Sequence, residues 1–336
     1  MNSTTPNMDI DPSQSNIVAA MFVGLLIFLT ILGNSLVCAS FSIFPELRTI
    51  CNYFVVSLSA SDILVALVAM PFWCALQITD NRWNFGPELK LFWDCMDILC
   101  GTASIMNLMA VSIDRHFAIT MPFYYENIMS SKKAIVIIFF VWVYAAVISC
   151  LRLVRWPGNE YMDIAAFGSF FCPLAIMIVM YIRIYLVARQ QVRRIGRNYT
   201  TDVKAAKTIA VVIGVFVACW CPFFIVVMGF AHIPGFKVSN VVLNVIKWLE
   251  YLNSCLNPVI YTCLNRGYRR AFKKLFMRFI RFRRQRAASN VSQRTVRLNS
   301  DSASLTYFQP EGKSISQRLR NSSLLGECLR TQWADK

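Results

Sequence analysis

The sequence predicts an all-α membrane protein: a seven-transmembrane helix bundle followed by a short amphipathic eighth helix. Three observations carry that prediction. Hydrophobic residues make up 56% of the 336 residues and charged residues only 15%, where a soluble chain is about half apolar and about a quarter charged. Seven apolar segments recur along the chain, at 17–43, 51–77, 89–120, 134–153, 163–188, 205–230 and 239–263. The basic residues fall between and after those segments on alternating sides.

The tail at 1–16 has no Lys or Arg and carries Asp9 and Asp11. No charge interrupts the run from Ile17 to Phe44, which is long enough to cross a hydrocarbon core of about 30 Å. A secretory signal would have a basic leader and a shorter core, so this run reads as a retained first span with the tail outside. Asn2-Ser3-Thr4 on that side is a glycosylation acceptor. The connections between spans are short, so residues 17–264 form one bundle. Pro and Gly within spans are tolerated because neighbouring helices re-satisfy the backbone.

The net charge of +16 resembles a nucleic-acid signal until it is mapped. Half of the Lys and Arg residues follow Leu264, and others lie in FPELRT, SSKK and residues 189–207. That is the positive-inside asymmetry of a membrane protein, and it places the C-terminus in the cytoplasm with no nucleic-acid partner. The twelve cysteines fall mostly within apolar spans, where Cys behaves as a small hydrophobe. Residues 265–285 set Phe272, Leu275, Phe276, Phe279 and Ile280 on one face among Lys and Arg, which suits a helix lying on anionic membrane lipid. Residues 286–336 are rich in Ser, Asn, Gln and Arg and predict a disordered cytoplasmic tail.

Charge inside the spans is the informative feature, because an intramembrane charge is expensive. In the third span Asp97 and Arg115 stand 18 residues apart, about 27 Å and five turns along one helix face. Asp97 reads either as a carboxylate paired to another helix or as the counter-ion of a cationic ligand entering from outside. The sixth span places Phe216, Trp220, Phe223 and Phe224 at helical spacing around Pro222, and the seventh sets Trp248 near Tyr251. Such a stripe is ordinary core packing by itself; beside an outward Asp it forms the anion-and-aromatic combination that holds an ammonium. Deeper, Asp62 with Ser104, Asn253, Ser254 and Asn257 forms either an oxygen-lined site for a small cation or a hydrated polar network.

Together these motifs resemble the rhodopsin-like (class A) G-protein-coupled receptors. GN at 33–34, LSASD at 58–62, DRH at 114–116, Trp142, Pro173 with Tyr181, CWCP at 219–222 and NPVIY at 257–261 fall in family order. Within the family the chain looks like the biogenic-amine branch, trace-amine-like receptors included. The resemblance implies a plasma-membrane receptor for a small cationic amine. Asp97 would hold the ammonium, Trp220, Phe223, Phe224, Trp248 and Tyr251 would form the cage, and Ser169 would meet the ligand's polar end. Ala165 and Ala166 leave a catechol little to bond. It further implies a sodium ion at Asp62, Ser104, Asn253 and Asn257 as an allosteric group, with no other cofactor. Arg115 would be locked by Asp114 and Asp202, and the sixth helix would swing outward. A heterotrimeric G protein would be received beside Tyr181 and Tyr261, and arrestin would meet the tail.

Three departures stand out. The family's outer disulfide position is Lys90, for which pairing with Glu160 or Asp163 is the replacement considered. Glu250 stands where amine receptors have Gly; it would share a proton with Asp97, grip a second ammonium, or be neutralised by Lys247, the first choice since buried charges are paired. The eighth helix lacks the cysteine that many relatives acylate. The alternatives are a peptide-binding or constitutively active class A receptor, an opsin, which would need a lysine at Tyr251, and a transporter or channel, which would need duplicated halves. Only two histidines, His116 and His232, speak against a zinc hydrolase, and the chain reads as no enzyme.

Overall fold

The structure is a computed structural model describing residues 14–195, 200–278, 280, 281, 283, 285 and 286. Asn2, the tails at 1–13 and 287–336, and Phe279 lie outside the described residues, as do the side chains of 191–195 and 200–210. Seven long helices follow one another among the described residues: α1 (Gln14–Ile43), α2 (Ile50–Ile78), α3 (Pro87–Thr120), α4 (Ser131–Cys150), α5 (160–195), α6 (Thr200–His232) and α7 (Asn240–Leu264). A short helix at Pro122–Ile128 joins α3 to α4, and residues 266–275 form α8. Residues 276–278, 280, 281, 283, 285 and 286 are helical as well.

Local chemistry sets the ends of these helices. Ser130 and Ser239 accept hydrogen bonds from the backbone N–H of Lys133 (3.3 Å) and Val242 (3.4 Å), capping α4 and α7. Gly86, at φ 83°, turns the chain into Pro87, the first residue of α3. Wide π-turns occur at Val65–Ala69 and Phe167–Phe171, just ahead of the prolines at 71 and 173. A proline offers no backbone N–H, so the hydrogen-bond register slips locally instead of closing.

Six of the helices, α1 to α6, are long and apolar enough to cross a membrane. The seventh is equally long at 25 residues, but Lys247, Glu250 and four asparagines lower its hydropathy. It is held by packing instead. A Cβ on Gly33 of α1 would lie 2.9 Å from the Pro258 ring of α7, so only glycine allows that approach. Asn34 of α1 donates to the Ser254 carbonyl at 3.1 Å, and Trp142 of α4 donates to Ser57 at 3.0 Å.

Helix α3 threads the middle of the bundle, and three apolar layers stack along it. Val23, Trp73, Trp93, Cys100 and Tyr251 form the layer at the Asp97 end. Ile105, Phe170, Phe216, Trp220 and Phe224 form the middle layer. Phe54, Leu58, Val111, Tyr261 and Tyr268 form the layer toward Arg115. Phe139, Phe140 and Ile135 of α4 and Leu25 and Phe28 of α1 point outward, as expected where lipid is the solvent.

In α8 the expected lipid-facing stripe is corrected in part. Phe272 and Leu275 pack with Tyr268 and Ala271 against Phe44 and Leu47 of the bundle. Tyr268 is fully buried, and that burial draws its whole helix face inward.

Candidate functional site

The Asp97 end of the bundle encloses a cavity of about 770 Å³, within the usual size of small-molecule sites, roughly 300–1,000 Å³. Asp97, Thr102, Ser169, Trp220, Phe223, Phe224 and Glu250 line it, from α3, α5, α6 and α7. A second chamber of about 440 Å³ adjoins it, lined by Trp73, Trp83, Lys90, Trp93, Asn244 and Lys247. Asp97, Ile98, Arg152, Phe223 and Val227 line both.

One lysine organises the wall between them. Lys247 Nζ donates to Asp97 Oδ2 and to both oxygens of Glu250, at 3.1 and 3.0 Å. Spacing explains the second contact, since residues three apart share a helix face. The contact to Asp97 is made by side-chain reach across the bundle from α7 to α3. Tyr251 completes the group by donating to Asp97 Oδ1 at 3.2 Å. The Lys247 ammonium also stands 4.8 Å from the Tyr251 ring and 5.7 Å from the rings of Trp93 and Phe223. It therefore occupies the seat that an anion and aromatic faces make for a cation.

That geometry answers two expectations differently. The expected contact of Lys247 with Glu250 is present. The open Asp97 counter-ion is corrected: Asp97 is already paired to the same lysine. The group still has two carboxylates to one ammonium, a net charge of −1 with both acids ionised.

The aromatic wall is divided as well. Trp220 packs against Phe224 at 6.0 Å and Phe223 at 6.2 Å, and Phe224 stacks on Phe170 at 4.4 Å. A Cβ on Gly101 would lie 2.7 Å from Trp220 Cη2, so a glycine on α3 makes room for that indole. Trp248 stands outside this cage, a further correction. It stacks on Phe22 of α1 at 4.8 Å and meets Trp73 edge-on at 5.9 Å, and it lines neither chamber. Lys247 and Trp248 are neighbours in sequence, so a helix that points one at Asp97 must turn the other about 100° away. Ser169 reaches the cavity but is engaged with Thr102 at 2.9 Å.

Deeper along α3, Asp62 is fully buried. Its Oδ2 accepts from Asn257 at 2.8 Å, while Oδ1 has no partner among the described residues. Ser104 pairs with Ser61 at 2.8 Å, and Asn253 and Ser254 are buried nearby in the chain on α7. At the opposite end Arg115 donates twice to Asp114 Oδ2, at 2.9 and 2.5 Å. Tyr125, on the short helix after α3, donates to the other carboxylate oxygen at 2.7 Å. Burial first, then Asp114 itself, pushes the Tyr125 phenol above its ordinary range, so it remains a donor near neutral pH. The side chain of Asp202 lies outside those described. Tyr181 packs with the middle layer and Tyr261 with the Arg115 layer, 6.0 Å from Tyr268.

The model of the 7 transmembrane receptor (rhodopsin family) matches residues 33–261. The chain belongs to that family. Its relatives include the alpha-1A adrenergic receptors of Oryzias latipes, Rattus norvegicus and Homo sapiens, at 33%, 32% and 31% identity. The first match covers 77% of this chain and 66% of the relative, and the other two cover 82% and 70%. The chain thus spans about two-thirds of these relatives' length. It is a multi-pass membrane receptor of the rhodopsin-like class, and that family is not an enzyme class.

Where that family pattern has a cysteine, Lys90 makes a different fastening from either partner considered above. Lys90 pairs with Asp94 at 3.0 Å and lies 4.0 Å from the Trp93 ring; Arg152, just beyond α4, reaches the same Asp94 at 3.7 Å. Glu160 instead accepts from the Gly158 N–H at 2.8 Å, and Asp163 meets His232 at 2.7 Å. One turn of helix brings Asp94 to Lys90, whereas the acids of α5 lie nearer to α6. Trp93, Gly101, Thr102, Tyr125 and Arg152 had no motif to mark them; only the i, i+4 spacing of Lys90 and Asp94 was legible beforehand.

Proposed function

We propose that this receptor binds a small ligand through an ammonium group, with the Asp97 end of the bundle facing outside the cell and the C-terminus in the cytoplasm. The observation that carries the reading is the carboxylate pair, Asp97 and Glu250, set against one lysine inside an aromatic-walled cavity. With both acids ionised the group holds one negative charge in excess for a second cation, and the Phe223, Phe224 and Trp220 faces supply the apolar contact. The names of the adrenergic relatives support an amine as the ligand class.

Signalling would run through the other end. An agonist would favour a form in which α6 moves outward and Arg115 leaves Asp114 to meet a heterotrimeric G protein, between Tyr181 and Tyr261. A ligand can shift such an equilibrium only by its differential affinity for the two forms. The unpaired, buried Oδ1 of Asp62, among hydroxyl and amide oxygens, fits a hard cation such as sodium; Asp62 and Ser104, with Asn253 and Asn257, would hold it. The serine-rich tail would serve arrestin.

A second-messenger screen of small amines in transfected cells tests this, with Asp97→Asn beside the unmodified receptor. Loss of amine potency at unchanged surface level is the expected result; retained potency removes Asp97 from the site. One observation favours a second reading, a receptor active without ligand: Lys247 already places an ammonium in the cage. In that case Lys247→Met lowers basal signalling.

A further inference from the structure

The Asp97 cavity is lined by groups of both charges, which an ammonium site by itself does not explain. On the α3–α7 side Asp97 and Glu250 share Lys247, two acids to one ammonium. The connection from α4 to α5 lines the same cavity with Arg152 and Arg155. One carboxylate, Asp94, meets part of this second charge, and it is divided between two cations. Arg152 shares Asp94 with Lys90 and reaches it only at 3.7 Å. Arg155 has no hydrogen-bond or ion-pair partner among the described residues, and the acids nearest in sequence are engaged elsewhere: Glu160 by the Gly158 N–H and Asp163 by His232.

A plain monocation shares this cavity with two guanidinium groups, and a cleft lined by like charge lowers its local concentration. A ligand carrying both charges reverses the effect. Its ammonium meets the carboxylates, and its own carboxylate meets the planar fork of an arginine, which matches that group with two parallel hydrogen bonds. Tyr161, Phe223 and Phe224 line the same cavity and offer aromatic faces to a ligand's side group.

We propose that the ligand is an amphoteric amine, an ammonium and a carboxylate on an aromatic frame, as in an aromatic amino acid. Arg155 is the specificity residue for the acid end, with Arg152 assisting. This rests on the ammonium site proposed above and names its ligand class.

Three matched probes decide it: tyrosine, tyrosine methyl ester, which lacks the anion, and tyramine, which lacks the whole group. They are applied in amino-acid-free buffer to cells expressing the full chain, with surface level matched by labelling. Tyrosine is expected to be at least tenfold more potent than either other probe. Arg155→Gln should narrow that gap about tenfold while moving tyramine less than threefold, and Arg155→Lys should restore part of it. Equal or greater potency of the ester or tyramine overturns the proposal while leaving the ammonium reading intact. A gap that survives both Arg155→Gln and Arg152→Gln overturns it as well. Silence from all three probes also sinks it, and a monoamine panel sensitive to Asp97→Asn then shows whether the ammonium site stands without it.

Discussion

Lys247 is the residue whose removal tests the site most directly. Its ammonium lies 3.0 Å from Glu250 and also bonds Asp97. At an effective dielectric of about 20, one such contact has a gross Coulomb energy of roughly 5 kcal/mol, offset in large part by the desolvation of both groups. A measured coupling for close charge pairs of about 1.5–3 kcal/mol, the low end of the known range, is the appropriate expectation. If an incoming ammonium must take over the position held by Lys247, that coupling opposes binding and removing it should raise potency about 10- to 100-fold.

The single change Lys247→Met confounds this, because it leaves two carboxylates unpaired, a loss of about 3–5 kcal/mol for a buried pair. Lys247→Met combined with Glu250→Gln keeps the net charge of the group at −1 and leaves Asp97 open. Concentration–response curves for a panel of small amines, at matched surface expression, give the result. A gain of tenfold or more for at least one amine is expected in the double variant. An unchanged potency order and magnitude would refute the idea that Lys247 sits in the ligand's place.

Other substitutions separate packing from binding. Trp248→Ala should lower stability by about 3 kcal/mol of lost packing, and surface level with it, yet leave ligand potency within threefold, measured by detergent melting beside a dose–response curve. Gly101→Ala should cost about 1–3 kcal/mol by overpacking, since the new Cβ would meet Trp220 at 2.7 Å; an unchanged indole fluorescence and melting point would contradict it. Tyr125→Phe removes one donor from the carboxylate that holds Arg115, worth about 1.5–3 kcal/mol for a bond to a charged group, and basal G-protein activation should rise about tenfold. Asp94→Asn should loosen the Lys90–Asp94–Arg152 fastening by about 1 kcal/mol or less, because these side chains are partly exposed. Proteolysis of the α4–α5 connection in intact cells would register that change.

How much of this was legible beforehand differs from residue to residue. Span positions follow from apolar runs, so the observed helices match the seven expected segments to within a few residues, apart from longer ends on α5 and α6. The polar positions Asp62, Asp97, Asp114 and Arg115 were visible because a charge within an apolar run has no local reason to be there. The i, i+3 spacing likewise announced the pairing of Lys247 with Glu250. Their neighbours across the bundle were not legible. Helical periodicity fixes which residues share a face but not which face meets which, so Trp248 and Tyr251 looked alike in the sequence and were separated by the rotation of α7. The Lys90 fastening was misplaced for a related reason, since the sequence offers several acids and only the fold brings one near.

Membrane class, helix count and the short list of buried charges were therefore determined by sequence alone, because lipid penalises every unpaired polar group wherever the helices sit. Tertiary structure decided which charges cancel. Whether Asp97 faces an empty cavity or the chain's own ammonium depends on side-chain reach across α3 and α7, a matter of a few ångströms that no pattern along the chain encodes.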